Sequence, residues 1–412
     1  MRPVLKYVII CGGLLLLLFS TGCNHPGNQV QALHYITPVL DSCNAEPDHL
    51  YAVSLPDHIP DRQSLPLILL IDPHGDGKLA VEKFTTALTD IPAVIAGSQK
   101  LRNNDPGFIS SLEHLAEDVR AKYPVDPDQV IVGGFSGGAR MAYYFGMNHN
   151  VLGIIMYGAG PDRSNRNAGS RRMYLVSGTR DFNFMEQYLP PFQGLYDPGM
   201  YMPDFFRGGH EWPPAECIYE SVAYVLKDQA DFPAFIPSRL SDLMLAEYDS
   251  LRETNELFFG AKALEKAWIF SADPKHKSRL ARQINDFNGM SGWIQHNRNF
   301  ESALQQELRL KQTYAYRLAD PDTTWWKNEI QGLNSRIQST SDPETQDLLY
   351  RLKGFIGIIL YSQINSMLQN DHLSPELDRL MIIYEIAEPE SEDLARFKQQ
   401  VQQLSTVKSS FQ

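Results

Sequence analysis

The chain has 412 residues, of which 43% are hydrophobic, so it is long enough to bury more than one core. It carries 37 Lys and Arg against 49 Asp and Glu, and the net charge of −12 argues against nucleic acid as a partner. Neither a His-Glu-x-x-His motif nor a Walker loop occurs, so we expect no metal site. Two domains are the first expectation.

Residues 1–22 are typical of an export signal. Arg2 and Lys6 form a basic start, residues 8–19 are almost wholly apolar, and small residues precede Cys23. The segment resembles a bacterial lipoprotein signal, in which this cysteine becomes the lipidated first residue of the mature protein. An uncleaved signal anchor is the alternative, but the run is shorter than the ~20 residues of a spanning helix. We expect a lipid-anchored protein of the bacterial cell envelope, on its periplasmic or outer-surface side.

Residues 23–45 are polar, with Pro, Asn and Gln, and are predicted to be a tether between the lipid and the folded body. Two other cysteines follow the signal, Cys43 and Cys217. Because an exported chain meets oxidising conditions, these two thiols could pair in a disulfide. Two unpaired thiols are an equally good expectation.

Residues 46–232 alternate aliphatic strands with amphipathic helices. The strand candidates are short apolar runs, at 51–55, 65–71, 93–96, 130–132, 152–157 and 173–176. The helix candidates have apolar residues at three- and four-residue intervals, at 79–89, at 108–123 and from about 138. This alternation predicts a doubly wound, mostly parallel sheet covered on both faces. Active groups in such sheets collect at the carboxyl ends of the strands.

A serine between glycines stands where the strand 130–132 gives way to a helix. The sequence Gly-Phe-Ser-Gly-Gly at 134–138 matches a nucleophile elbow, a turn so tight that its flanking residues must lack side chains. We therefore predict Ser136 as a nucleophile. The helix that follows offers unpaired N–H groups, so the N–H of Gly137 is the first predicted oxyanion donor. A glycine-rich turn without chemistry is the alternative.

A nucleophilic serine needs a histidine as base and a carboxylate that orients it, in the chain order Ser, acid, His for this fold. Asp181 stands in a loop at the carboxyl end of a strand, and His210 follows two glycines that let its loop bend over the sheet. We predict that Ser136, Asp181 and His210 form a triad. Asp181 could instead only cap a helix, and His210 could be a surface residue. Asp162 is the reserve acid and Asp197 a weaker one.

The second oxyanion donor is expected in the glycine-containing loop after the strand 65–71. Gly75 and Asp76 both qualify, and the sequence does not separate them. His74 lies in the same loop but precedes the nucleophile in the chain. We expect His74 to fix the loop by hydrogen bonding rather than to act as the base.

Three motifs together carry a resemblance to a known family. They are Gly-Phe-Ser-Gly-Gly at 134–138, Gly-Thr-Arg-Asp at 178–181 and Gly-Gly-His-Glu-Trp-Pro at 208–213. They resemble the α/β-hydrolase superfamily and are most similar to its polyhydroxybutyrate depolymerase and feruloyl esterase group. The resemblance covers about residues 50–228 and implies a serine hydrolase of esters without metal or organic cofactor. Asp76 departs from the group's pattern, and a carboxylate there would oppose an oxyanion unless it points away.

Residues 238–412 are predicted to form an all-α domain. Its helix candidates are 257–270, 300–318, 348–368 and 377–386. Its helix starts are marked by a capping residue followed by proline, at 273–274, at 341–344 with capping-box spacing, and at 374–376. This region could cover the hydrolase as a lid or bind a protein partner, and the sequence does not decide.

The predicted function is that of an exported, lipid-anchored serine hydrolase that cleaves carboxyl esters through an acyl-enzyme. The expected partners are a small or polymeric ester, such as an acylated glycan or a phenolic ester, and the membrane through the lipid. A peptidase of the same fold is one alternative. A non-catalytic binding or scaffold lipoprotein that uses the helical region for a partner is the other.

Overall fold

The computed structural model describes residues 33–59, 64–162, 171–188, 200–320 and 322–410. The predicted signal, the lipidation site Cys23 and the weaker acid candidate Asp197 lie outside these residues. The described residues belong to one compact unit. None of their helices is long and apolar enough to cross a membrane.

Within the described ranges, eight strands form one sheet. The strands are β1 (Val39–Ser42), β2 (Leu50–Ser54), β3 (Leu65–Ile71), β4 (Val94–Ser98), β5 (Val125–Phe135), β6 (Gly153–Tyr157), β7 (Arg172–Gly178) and β8 (Tyr201–Phe206). Their order across the sheet is β1-β2-β4-β3-β5-β6-β7-β8. All neighbouring pairs from β4 to β8 are parallel, whereas β1 and β2 run antiparallel to their neighbours. Strands β3, β4 and β6 are buried along their whole length, as the centre of a covered parallel sheet requires.

Five helices accompany this sheet, α1 (Gly77–Ala87), α2 (Phe108–Lys122), α3 (Gly137–Asn148), α4 (Phe184–Tyr188) and α5 (Ala215–Leu226). Apolar residues of α1 and α5 join the core on one face of the sheet. Those of α2 and α3 join the core on the other face. The predicted doubly wound, mostly parallel sheet is therefore confirmed.

The rest of the described chain is helical, as predicted. It contains α6 (Phe235–Glu253), α7 (Leu257–Phe270), α8 (Pro274–Asn288), α9 (Ser291–Arg317), α10 (Thr323–Ser339), α11 (Pro343–Gln369), α12 (Pro375–Ala387) and α13 (Glu392–Ser410). Asp273 and Ser374 are the N-caps of α8 and α12, as their sequences indicate. In the 341–344 segment, the capping residue is Asp342 and not Ser341, because the Asp342 carboxylate accepts from the N–H of Thr345.

The helical region does not pack as one separate body. Apolar residues of α6, α7 and α8 belong to the same core as α1, α5 and one face of the sheet. A further core, separate from those on the two faces of the sheet, is built from α9 to α13 alone. The predicted boundary between residues 232 and 238 thus lies inside a shared core, because α6 begins at Phe235 and buries Ile236 at once.

The prediction of a tether is wrong for its described part. Residues 33–45 include β1, which pairs antiparallel with β2, and Tyr35, whose hydroxyl donates to the Ile91 carbonyl at 2.7 Å. An edge strand is bonded on one side only, and Val39 and Leu40 stay exposed, so its sequence looks like an extended linker. Residues 23–32 lie outside the described residues.

The disulfide alternative is not what the structure has, because Cys43 and Cys217 are both free and buried. Cys43 lies in the turn after β1, where the N–H of Asn44 donates to Asp118 of α2. Cys217 lies in α5, on the face of the sheet opposite α2. The two cysteines thus lie in different elements, and neither thiol is part of a disulfide.

Candidate active site

Ser136 sits in a strained turn between β5 and α3. It has φ 53° and ψ −119°, a positive φ that residues with a side chain rarely adopt. Its N–H donates to the carbonyl of Tyr157 in the neighbouring strand β6 at 2.7 Å. This bond holds the turn in place, so the strained conformation that a nucleophile elbow requires is present.

The glycines around Ser136 are required by a close approach of β3. A Cβ atom on Gly138 would lie 2.1 Å from the carbonyl oxygen of Ile71, and one on Gly134 would lie 2.6 Å from the same atom. Neither distance is compatible with a side chain. The glycine pattern that marks the elbow in the sequence therefore reflects the packing of the first turn of α3 against the end of β3.

The structure brings Ser136, His210 and Asp181 into one hydrogen-bonded chain. The Oγ of Ser136 lies 2.9 Å from Nε2 of His210. On the other side of the ring, Nδ1 lies 3.0 Å from both carboxylate oxygens of Asp181. Since a carboxylate only accepts, it fixes the proton on Nδ1 and leaves Nε2 free to accept from the serine hydroxyl.

Asp181 is completely buried at the loop that precedes α4. Its Oδ1 also accepts from the N–H of Asn183 at 2.8 Å, so it orders the loop as well as the imidazole. Burial raises the pKa of Asp181, and the hydrogen bond with His210 opposes this rise. The reserve acid Asp162 instead accepts from the hydroxyl of Tyr144 at 2.6 Å.

Aromatic side chains surround the imidazole. The rings of Phe135 and Phe182 lie beside His210, with centroids 4.8 and 4.3 Å from that of the imidazole. Trp212 packs on Phe135, and its indole N–H donates to Asp72 at 3.1 Å. The His210 ring keeps 22% exposure, so it is enclosed and still reachable from solvent.

The two candidates for the second oxyanion donor can be separated. The N–H of Gly75 donates to the carbonyl of Asp72 at 3.1 Å and is therefore used within the turn. For the N–H of Asp76, no hydrogen-bond partner is found among the described residues. The Asp76 carboxylate caps α1 by accepting from the N–H of Leu79 at 2.9 Å, so it is directed at a helix terminus. This leaves the N–H of Asp76 as the candidate donor beside that of Gly137.

His74 does not contribute its ring to the site. The ring is 81% exposed, with Nδ1 3.5 Å from a carboxylate oxygen of Asp72, and the backbone N–H donates to the same carboxylate at 2.8 Å. The loop is thus fixed by Asp72, a residue that the sequence analysis did not select. Its signal was weak, since an aspartate at the end of a strand is common and its partner Trp212 lies far away in the chain.

A second residue that the sequence analysis missed is Asn103, in the loop after β4. A Cβ atom on Gly137 would lie 1.6 Å from its side-chain oxygen, so Asn103 directly covers the elbow. The backbone N–H of Asn103 donates to the carbonyl of Pro73 at 3.0 Å. This bond connects the loop after β4 to the loop after β3, which holds the candidate oxyanion donor Asp76. A side chain at Gly137 would therefore displace the exposed side chain of Asn103, a contact that only the folded structure reveals.

The described ranges contain no group of three or more His, Cys, Asp or Glu side chains that could hold a metal ion. The site consists of a hydroxyl, an imidazole, a carboxylate and backbone N–H groups. Such a set can activate a serine for attack on a carbonyl and bind the negative charge that forms there.

Comparison with known proteins gives only distant matches. No family model and no curated protein matches the chain. Among solved structures, an S-formylglutathione hydrolase (FrmB) from Staphylococcus aureus shares 11% identity over 47% of this chain and 97% of its own, with a TM-score of 0.37. A mutant of the feruloyl esterase module from Clostridium thermocellum, complexed with sinapinate, shares 13% over 47% and 88%, with a TM-score of 0.39.

A puromycin-hydrolyzing peptidase from Mycobacterium tuberculosis shares 13% identity over 50% of this chain and 41% of its own, with a TM-score of 0.35. At such identities and TM-scores, these matches assign neither a family nor an activity. The functional assignment has to come from the residues of this chain.

Proposed function

We propose that the protein is a serine hydrolase that cleaves carboxyl esters, with Ser136 as nucleophile, His210 as base and Asp181 as the orienting acid. The observation that carries the proposal is the unbroken hydrogen-bonded chain from the Ser136 hydroxyl through the imidazole to a buried carboxylate. This chain starts on a strained turn between a strand and a helix, where a serine hydroxyl is exposed for attack.

In the first half of the reaction, Ser136 Oγ attacks the ester carbonyl carbon while Nε2 of His210 takes its proton. The carbonyl oxygen becomes an oxyanion and accepts from the N–H groups of Gly137 and Asp76. The C–O bond of the ester then breaks, and the imidazolium returns the proton to the leaving alcohol. An acyl group remains on Ser136.

In the second half, a water molecule gives its proton to His210 and attacks the acyl-enzyme. The second oxyanion is bound by the same two N–H groups, and its collapse releases the acid and restores the Ser136 hydroxyl. Asp181 stays ionised and stabilises the imidazolium in both halves. Its burial strengthens this interaction, because few water molecules compete with it.

The aromatic walls of the site support a phenolic or other aromatic acyl group. Phe182 and Trp212 are half-buried near His210, while Phe135 is buried and packs against both His210 and Trp212. Flat rings of a substrate gain stacking energy of about 1 kcal/mol per pair against such a surface. We therefore favour phenolic esters, including those that acylate glycans, as the substrate class.

The sequence around Cys23 supports the proposal that this hydrolase acts in the bacterial cell envelope, anchored by a lipid. A polymeric substrate suits an enzyme fixed to a surface, because the polymer diffuses to the enzyme or is part of the same envelope. Mass spectrometry of the N-terminal peptide purified from cells would detect a diacylglyceryl cysteine at Cys23. An unmodified N-terminus would contradict this part of the proposal.

The activity is tested by comparing p-nitrophenyl acetate, methyl ferulate and an aminoacyl p-nitroanilide as substrates. We expect turnover of the two esters, a preference for methyl ferulate in kcat/KM, and loss of turnover to background in Ser136→Ala. Ser278→Ala is the matched control, because the Ser278 hydroxyl only bonds the Pro274 carbonyl within α8. Cleavage of the anilide alone would indicate a peptidase, and no turnover of any substrate would favour a scaffold protein.

A further inference from the structure

The loop that carries Asp181 is bonded to the helical region on both sides of the carboxylate. Nη1 of Arg351, in α11, donates to the carbonyl of Thr179 at 2.6 Å. Nζ of Lys311, in α9, donates to the carbonyl of Phe182 at 2.8 Å. The two accepting carbonyls flank Asp181 in the chain, so two cations from distant helices fix the backbone from which the acid projects.

The residue next to Asp181 is held by the same helix face. Nε of Arg180 lies 2.7 Å from a carboxylate oxygen of Asp347, and its guanidinium lies 4.7 Å from the ring centroid of Tyr350. In α11, Tyr350 and Arg351 follow Asp347 by three and four residues. The three side chains therefore share one side of that helix. This side of α11 is directed at residues 179–182, which carry Asp181 and are called the acid loop below.

The charged groups at the centre of this contact are buried, and Asp181 is one of the carboxylates that face them. Glu307 of α9 is fully buried, with its Oε2 at 2.8 and 2.9 Å from the guanidinium of Arg351 and its Oε1 at 2.7 Å from Lys311. Glu307 thus faces both cations, and the buried carboxylate of Asp181 adds a second negative charge near Lys311. Burial lowers the pKa of Lys311, and the carboxylates of Glu307 and Asp181 oppose that fall.

Helix α11 also supports the ring beside the base. Gly354 lies against Phe182, where a Cβ atom would be 3.4 Å from the ring. Phe182 in turn lies with its ring centroid 4.3 Å from that of His210. The helical region therefore contacts both the loop that holds the acid and the aromatic ring that packs on the imidazole.

We propose that α9 and α11 complete the active site, with Arg351 and Lys311 as positioning residues that hold Asp181 against His210. This inference rests on the proposed function and gives the helical region a role in it. Neither cation has a hydrogen bond with Ser136 or His210, so each acts through the acid loop. Loss of one cation should let Asp181 shift relative to the imidazole, and a shift of about 1 Å can lower turnover about 100-fold.

The first test compares Lys311→Met with Lys266→Met. Lys266 of α7 is equally buried, at 10% exposure for each side chain, but it contacts Glu220 and Asp204 and not the acid loop. Both changes remove a buried cation, so both lower thermal stability. At a temperature where circular dichroism shows both variants folded, we expect kcat on methyl ferulate to fall about 10- to 100-fold in Lys311→Met, with KM within about twofold. Lys266→Met should keep kcat, and Lys311→Arg should restore most of it.

The second test is a double-mutant cycle with Asp181→Asn, measured as the rate at which a fluorophosphonate modifies Ser136. If Lys311 acts through the acid, Lys311→Met slows the wild type but adds little in the Asp181→Asn background. An equal slowing in both backgrounds would overturn the proposal, because it would indicate a general structural role. Should Lys311→Met not fold, Lys311→Met/Glu307→Gln replaces it and is compared with Glu307→Gln alone, because Glu307 contacts both Lys311 and Arg351.

The failure of this inference is distinguishable from that of the proposed function. A wild-type protein that fluorophosphonate does not modify would contradict the serine hydrolase itself. If the wild type is modified, and Lys311→Met or its replacement Lys311→Met/Glu307→Gln is modified at the wild-type rate, only the positioning role is contradicted.

Discussion

The two ends of the candidate triad are held in different ways. Ser136 is positioned by its own neighbourhood, a five-residue turn whose glycines allow α3 to begin against the end of β3. Asp181 is positioned by side chains of α9 and α11 that bond the carbonyls of Phe182 and Thr179, over chain separations of 129 and 172 residues. The position of Ser136 thus depends on the conformation of neighbouring residues, whereas that of Asp181 depends on helices α9 and α11.

The difference shows which parts of a site a chain has to encode locally. A strained backbone requires particular residues at fixed positions, so its signature is written in consecutive letters. The loop that carries Asp181 requires only two side-chain donors for its carbonyls, and these can come from any part of the chain. The residues next to Arg351 and Lys311 in the sequence therefore give no signal of that role. A hydrolase fold without such helices would need another way to hold its acid.

The largest expected effect is at the end that depends on distant support. Asp181→Asn should lower kcat about 10⁴-fold, because an amide stabilises the wrong imidazole tautomer and cannot offset the imidazolium. Asp162→Asn is the matched control, and steady-state assays on methyl ferulate should show little change for it. A large loss in Asp162→Asn with an active Asp181→Asn would transfer the acid's role to Asp162.

A single added methyl group should destabilise the turn that holds Ser136. Gly138→Ala would place Cβ 2.1 Å from the Ile71 carbonyl oxygen, so β3 or α3 must move, at about 3 kcal/mol of unfolding free energy. Gly332→Ala in α10 is the control, because no atom lies within 4 Å of its added Cβ. Urea denaturation should show that this control is unchanged or more stable by up to about 1 kcal/mol. Equal behaviour of the two variants would mean that the elbow is not tightly packed.

The smallest effect concerns another buried charge between the helices and the sheet. Glu220 lies with Lys266, Asp204 and Tyr174, and burial raises the pKa of Glu220 although Lys266 opposes this. A carboxyl with a raised folded-state pKa favours folding below its ordinary pKa of about 4.3 and loses that contribution as pH rises toward the raised value.

The unfolding free energy of the wild type should therefore fall with rising pH more steeply than that of Glu220→Gln, by about 1 kcal/mol between about pH 5 and pH 7.5. Urea titrations at several pH values would measure the two slopes. Glu216→Gln, at an exposed glutamate of the same helix, should keep the wild-type slope. A Glu220→Gln slope equal to that of the wild type would show that Glu220 is not the group responsible.

The sequence was sufficient for those features that depend on consecutive residues. It predicted the central strands, since uninterrupted aliphatic runs such as 65–71 leave few alternatives, and the helix caps Asp273 and Ser374. It also predicted Ser136, Asp181 and His210, which the structure brings within hydrogen-bonding distance. Each of the three follows a strand or a glycine pair in a characteristic order.

The sequence was insufficient for features that depend on the partner in space. Strands β1 and β8 were missed, because an edge strand such as β1 needs fewer apolar residues and β8 contains Pro203 and Asp204. The bond between Asp72 and Trp212 joins residues 140 positions apart, and neither residue has a motif that predicts it. The sequence also did not show that the Asp76 carboxylate accepts from the N–H of Leu79 at the start of α1.

The most direct test of the account is to locate the adduct that a fluorophosphonate forms with the purified protein. We expect the intact mass to increase by one adduct, and peptide sequencing by mass spectrometry to place it on Ser136, with none formed in Ser136→Ala or after unfolding in urea. A wild type that stays unmodified, or an adduct on another serine that persists in Ser136→Ala, would contradict the assignment of Ser136 as an activated nucleophile.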